Sequence, residues 1–162
     1  MEPGDRELAT SIVRRLESAA ATVAVAESCT GGLLGAWITS VPGASTVFWG
    51  GVIAYADEAK VRLLSVAPHT LRTHGAVSEN TAREMAGGVR RLAGAQWGVG
   101  ITGIAGPEGG TCGKPVGTVC IAVDGDAPAC RTYAFGGGRD DVRREAALEA
   151  LRLLDAAIDD RG

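Results

Sequence analysis

Residues 22–26 form a short apolar run with Val23 and Val25 at alternate positions, and it stops abruptly at Glu27, Ser28, Cys29 and Thr30 before Gly31 and Gly32. An apolar run ending in polar residues and glycine ahead of a helical pattern predicts a buried strand that turns sharply into a helix. Upstream, Leu8, Ile12, Val13 and Leu16 share one helical face, so a helix capped by Asp5 is predicted to about residue 20. Leu33, Leu34, Trp37 and Ile38 predict a second helix over 31–40, closed by Pro42-Gly43. Residues 46–54 read as a second strand whose Gly50-Gly51 pair marks a bulge or a close backbone approach.

Asp57 is placed to cap a short helix over 58–64, and 68–73 reads as a further helical turn. Ser78 caps a longer helix to about residue 92, with Ala82, Met85, Ala86 and Val89 inward. A third strand is predicted over 97–102, and a glycine-rich loop follows. Strands over 116–123 and 129–135, joined by Asp124-Gly125-Asp126, form an antiparallel pair. The chain closes with an amphipathic helix over 139–158. This order predicts a single α/β domain, spanning 1–162, whose mixed sheet is covered by helices on both faces. Trp37, Phe48, Trp49 and Trp97 are either core or interface residues, with core expected for most.

Composition narrows the function classes. A net charge of −3, with no basic run, argues against nucleic-acid binding. No apolar run approaches the ~20 residues that span a bilayer, so no membrane partner is expected. The N-terminus carries no signal-peptide pattern. Four cysteines without a Cys-x-x-Cys pair, and only two histidines, argue against a zinc site and fit a reduced, cytoplasmic setting.

Candidate chemistry sits where strands end. Polar stretches at 27–30, 55–60 and 102–114 follow the first three strands, and parallel neighbours would bring all three to one sheet edge, where α/β proteins bind ligands. Taken singly, each has an ordinary reading. Ser28 suits a helix N-cap, Cys29 a small buried hydrophobe, Tyr55 a half-buried strand end, and Lys60 a surface pair with Asp57 or Glu58. Together they read differently. A nucleophilic serine needs a base, and His69 and His74 lie far from the strand ends in sequence. A lysine replaces histidine where burial favours the neutral amine, and a neighbouring tyrosine relays or holds the proton. Ser28, Tyr55 and Lys60 supply that set. The loop containing Thr102, Gly103, Ile104, Ala105 and Gly106 is either a mobile surface loop or a cradle of backbone N–H groups for phosphate or an oxyanion. Lys114, Arg139 and Arg143 are cations placed to neutralise a phosphate.

The motifs Ala26-Glu-Ser-Cys-Thr-Gly-Gly32, Gly51-Val-Ile-Ala-Tyr55 through Glu58-Ala-Lys60, His74-Gly-Ala-Val-Ser-Glu79, Gly103-Ile-Ala-Gly-Pro107 and Lys114-Pro-Val-Gly-Thr118 resemble the CinA C-terminal domain family. The resemblance covers nearly the whole chain in order. It implies a three-layer α/β/α sandwich with a mixed, mostly parallel sheet. It also implies the activity of the family's stand-alone nicotinamide mononucleotide (NMN) amidohydrolases: hydrolysis of the NMN carboxamide to nicotinic acid mononucleotide and ammonia, in pyridine-nucleotide recycling, without metal or cofactor. The family's Ser–Tyr–Lys set falls on Ser28, Tyr55 and Lys60. Substrate contacts are then expected from Glu27, Cys29, Thr30, Gly31, Gly32, Thr102, Gly103, Ile104, Ala105, Gly106, Lys114 and Arg139. Larger relatives carry a further N-terminal molybdopterin-binding-like domain, whose activity is not expected of a chain that begins at the amidase domain's first helix. A homodimer is the expected assembly. The rival readings are a Cys29-dependent amidase, a non-catalytic nucleotide-binding or regulatory module, and a pure interaction protein.

Overall fold

The computed structural model describes residues 2–159. Six helices and five strands follow the predicted order: α1 (Pro3–Ser18), β1 (Val23–Glu27), α2 (Leu33–Thr39), β2 (Phe48–Ile53), α3 (Asp57–Leu64), α4 (Pro68–His74), α5 (Glu79–Ala93), β3 (Trp97–Gly103), β4 (Thr118–Asp124), β5 (Ala129–Ala134) and α6 (Arg139–Asp159). A 3₁₀ turn, Ala44–Thr46, precedes β2. No helix among the described residues is long and apolar enough to cross a membrane.

The sheet order is β2-β1-β3-β4-β5. β1 pairs in parallel with both β2 and β3, so the three strands end on the same side. β4 runs antiparallel to β3 and to β5, which makes it the one reversed strand of a mixed sheet. Helices α1, α2 and α6 cover one face; α5 covers the other, with α3 and α4 against it.

The two faces differ in side-chain size. Val23, Val25, Val99, Ile101, Ile121 and the fully buried Trp97 point toward α1, α2 and α6, where they meet Ile12, Leu16, Leu34, Ile38, Leu151 and Leu154. The opposite face is built of Ala24, Ala26, Gly98, Gly100 and Ala122. Small residues there let α5 lie nearly backbone-on-backbone against β3. A Cβ on Gly98 would stand 2.2 Å from the Ala86 carbonyl oxygen, and one on Gly100 would stand 2.4 Å from that of Ala82.

Several local details depart from the sequence reading. Asp5 is not the α1 cap but the third helical residue of a capping box, its carboxylate accepting from the Glu2 N–H at 3.0 Å. Asp57 is likewise the first residue of α3 and makes no capping bond. Ser78 does cap α5, its hydroxyl accepting from the Thr81 N–H at 3.1 Å. In β2 the register slips, with Phe48 opposite Val23 and Gly50 opposite Ala24. Trp49 is the extra residue of that bulge and stands 53% exposed, whereas Trp37 and Trp97 are core.

The glycine face yields a stability prediction. Gly100→Ala forces α5 away from β3 against backbone atoms that cannot yield locally, so thermal or denaturant unfolding is expected to show a loss of about 1–3 kcal/mol. Unchanged stability would contradict the close helix–strand packing.

Candidate functional site

The turn after β1 is built around Glu27. This residue is only 1% exposed and shares the face of Val23 and Val25, so its carboxylate reaches under the start of α2. There it accepts from the backbone N–H groups of Gly32 (3.1 Å), Leu34 (3.1 Å) and Gly35 (2.8 Å). These are donors that the first turn of a helix leaves unpaired, and a negative charge is favourable at that end. Gly31 and Gly32 make the turn with φ of 61° and 97°, a conformation that disfavours side chains. Glu27, expected as a substrate contact, is therefore committed to α2 and does not line the cavity described next.

Ser28 does not cap α2. Its backbone N–H donates to the Ile101 carbonyl at 3.0 Å, which fixes it at the junction of β1 and β3. Its hydroxyl makes no hydrogen bond with another described residue, and it lines a cavity of about 190 Å³ together with Cys29, Tyr55, Asp57, Lys60, Thr102 and Arg139. The cavity collects the ends of the three parallel strands, the start of α3, the start of α6 and the linker before α5. A larger groove of about 600 Å³ runs along α1 past Arg6, Thr10 and Arg14. Its lining, Glu7 and Ser11 included, comes from that one helix, whereas the cavity at Ser28 draws on several elements and includes a buried lysine.

Lys60 is buried, at 1% exposure, and is not the surface lysine that its acidic neighbours suggested. Its Nζ donates to the Tyr55 carbonyl at 3.1 Å and faces the Asp57 carboxylate at 3.4 Å. Glu58 instead pairs with Arg62 on the outer face of α3. Tyr55 stands 60% exposed at the rim, and its phenol oxygen accepts from Arg139 Nη2 at 3.0 Å. Arg139 Nη1 donates to the Gly106 carbonyl at 2.6 Å, so one guanidinium ties the loops after β2 and β3 to the start of α6. It has no carboxylate partner among the described residues, which leaves a positive charge at the cavity wall. In the resting geometry Ser28 is hydrogen-bonded to neither Lys60 nor Tyr55.

The other expected residues divide. Cys29 lines the cavity, but burial pushes its thiol up to about 11, with Glu27 adding and backbone hydrogen bonds from Cys29 and Thr30 opposing. That direction disfavours the thiolate that a cysteine nucleophile requires. Thr102, Gly103 and Ala105 line the wall; the Thr102 hydroxyl donates to the Ala76 carbonyl at 2.7 Å and so holds the pre-α5 linker in place. Ile104 and Lys114 lie outside it. The Ile104 backbone bonds to Gly117 and Thr118, and Lys114 Nζ donates to the His74 carbonyl at 2.7 Å, at the C-terminal end of α4. The Thr30 carbonyl accepts from Arg143 at 3.1 Å. Asp57, Ala76 and Val77 are cavity residues that the sequence reading did not select. Asp57 had a signal in its i,i+3 spacing to Lys60, and Ala76 and Val77 lie within the motif His74-Gly-Ala-Val-Ser-Glu79.

Residues 5–158 match the family model described as the CinA C-terminal domain. The chain belongs to the CinA C-terminal domain family. Similar CinA-family sequences include a CinA-like protein of Anaeromyxobacter sp. (strain K), 54% identical over 156 residues, which are 96% of this chain and 38% of that protein. A CinA-like protein of Thermotoga maritima is 47% identical over 93% of this chain and 37% of its own length. The chain thus spans little more than a third of these relatives. Among solved structures, the competence/damage-inducible protein CihA of Agrobacterium tumefaciens superposes with a TM-score of 0.91 at 38% identity, covering 97% of this chain and 98% of that one. A CinA superfamily protein of Escherichia coli does so with a TM-score of 0.90 at 32% identity, over 98% of this chain and 93% of its own.

Removing the Glu27 carboxylate leaves three amides without their acceptor. Glu27→Ala is expected to lower stability by about 2 kcal/mol, the upper end of helix-cap losses. Hydrogen exchange at Gly32, Leu34 and Gly35 should rise with it; wild-type protection there would refute the capping role.

Proposed function

We propose that this CinA-family domain is an amidohydrolase that converts NMN to nicotinic acid mononucleotide and ammonia, with Ser28 as nucleophile. The observation that carries the reading is a single cavity lined by an uncommitted serine hydroxyl, a buried lysine amine and an arginine without a carboxylate partner. The first two supply nucleophile and base. The third supplies charge for a phosphate.

In this mechanism the neutral amine of Lys60 takes the Ser28 proton as Oγ attacks the carboxamide carbon, which the pyridinium ring makes electrophilic. The expected oxyanion donors are backbone N–H groups of the turn that follows Ser28, among them those of Cys29 and Thr30. Collapse of the tetrahedral intermediate breaks the C–N bond, and Lys60 or Tyr55 protonates the departing ammonia. Water then hydrolyses the acyl-enzyme by the reverse proton path. Arg139 holds Tyr55 in place and faces the nucleotide phosphate. The reading includes a homodimer; the edge strand β2 carries no charged residue and leaves Trp49 and Ile53 about half exposed, as a buried dimer surface requires.

Purified protein is expected to release ammonia and nicotinic acid mononucleotide in equal amounts from NMN. Ser28→Ala and Lys60→Ala should each lower kcat by about a thousandfold or more. Turnover surviving in Ser28→Ala would exclude the serine mechanism. NMN binding without turnover would favour a nucleotide-binding module. No rise in melting temperature with NMN would favour an interaction protein, since a ligand of the native state must stabilise it.

A further inference from the structure

We propose that Asp57 is a positioning residue that sets the pH at which Ser28 becomes reactive, by holding Lys60 in its resting place and favouring the charged ammonium. The inference rests on Ser28 and Lys60 acting as nucleophile and base. It does not depend on the identity of the substrate.

Asp57 is free for this task because it makes no capping bond to α3. Its Oδ1 lies 3.4 Å from a lysine nitrogen whose side chain is 2% exposed, while the carboxylate itself is 62% exposed. The Tyr55 carbonyl at 3.1 Å is the second acceptor for that nitrogen. An ammonium has three donors and no acceptor, whereas a neutral amine has two donors and one lone pair. With both amine hydrogens held by Tyr55 and Asp57, the lone pair of neutral Lys60 is left for the Ser28 hydroxyl. The same carboxylate attracts the extra proton that would block this lone pair. Asp57 thus orients the base and opposes its release.

The other charged and titratable groups around Lys60 do not take this role. Arg139, from α6, carries a like charge and is held by Gly106 and Tyr55. Cys29, after β1, is a buried thiol that burial pushes up to about 11. The Tyr55 phenol is turned to Arg139. On α5, Glu84 accepts from the Ala67 N–H and the Thr70 hydroxyl. Glu58 pairs with Arg62, and His69 and His74 on α4 are not part of the cavity wall.

The test is sulfonylation of Ser28 by phenylmethylsulfonyl fluoride, followed by intact mass from about pH 6 to 10. The Ser28 Oγ–S bond forms, the S–F bond breaks, fluoride leaves, and the serine proton passes to Lys60. In Asp57→Asn the half-maximal pH of labelling is expected to fall by about one unit, the low end of what an opposite charge at this distance produces. Asp57→Glu should restore the wild-type midpoint, and Lys60→Met should lose the pH dependence. Asp57→Ser, which keeps a helix-start residue, serves if Asp57→Asn folds poorly. An unchanged midpoint in the Asn or Ser variant, or wild-type labelling that ignores Lys60, overturns the proposal. Labelling with the expected shift in a protein that does not hydrolyse NMN would sustain the role of Asp57 and reject only the substrate.

Discussion

The site depends on one buried carboxylate. Glu27 closes β1 on the face of the large core residues, and its three bonds to the first amides of α2 do what a capping side chain ordinarily does. Because that cap comes from beneath, the residue after the strand is released from the helix. Ser28 turns into the cavity with a hydroxyl that serves no structural purpose. A serine at a strand-to-helix junction is usually consumed by the helix; here a neighbouring glutamate has taken that position.

The sheet supplies the rest of the geometry. Parallel pairing of β1 with both neighbours brings Ser28, Tyr55 and Thr102 to one edge, although they are distant in sequence. The face of alanine and glycine lets α5 approach closely and carries α3 with it, and Gly88 of α5 packs directly on the backbone at Leu64. Lys60 is buried one turn before that contact. Arg139 then joins the rim through Gly106 and Tyr55, so the far end of the chain completes a wall begun by the first strand.

Much of this was legible in the sequence because it is written in local signals. Strand endings, helical periodicity and the Ser78 cap gave the element order, and the lack of a histidine near the strand ends singled out Ser28 with Tyr55 and Lys60. Missed features were those in which a residue acts at a spacing its local grammar does not specify. Glu27 caps amides five to eight residues ahead. Asp57 looked like a cap or a surface partner of Lys60, and the lysine it faces is buried. Lys114 looked like a phosphate ligand, but its amine meets a carbonyl 40 residues away in sequence. Trp49 read as either core or interface and is turned outward by a bulge whose position depends on the strand beside it. Tertiary context decides each of these.

The central claim is that Ser28, freed by Glu27 and served by Lys60, is the group that attacks the carboxamide. The most direct measurement is peptide mapping of protein acid-quenched during turnover of NMN. The account predicts an ester of nicotinic acid mononucleotide on the peptide containing Ser28, absent in Ser28→Ala. The same acyl group on Cys29, or steady turnover with no acylated peptide under conditions that slow deacylation, would contradict it.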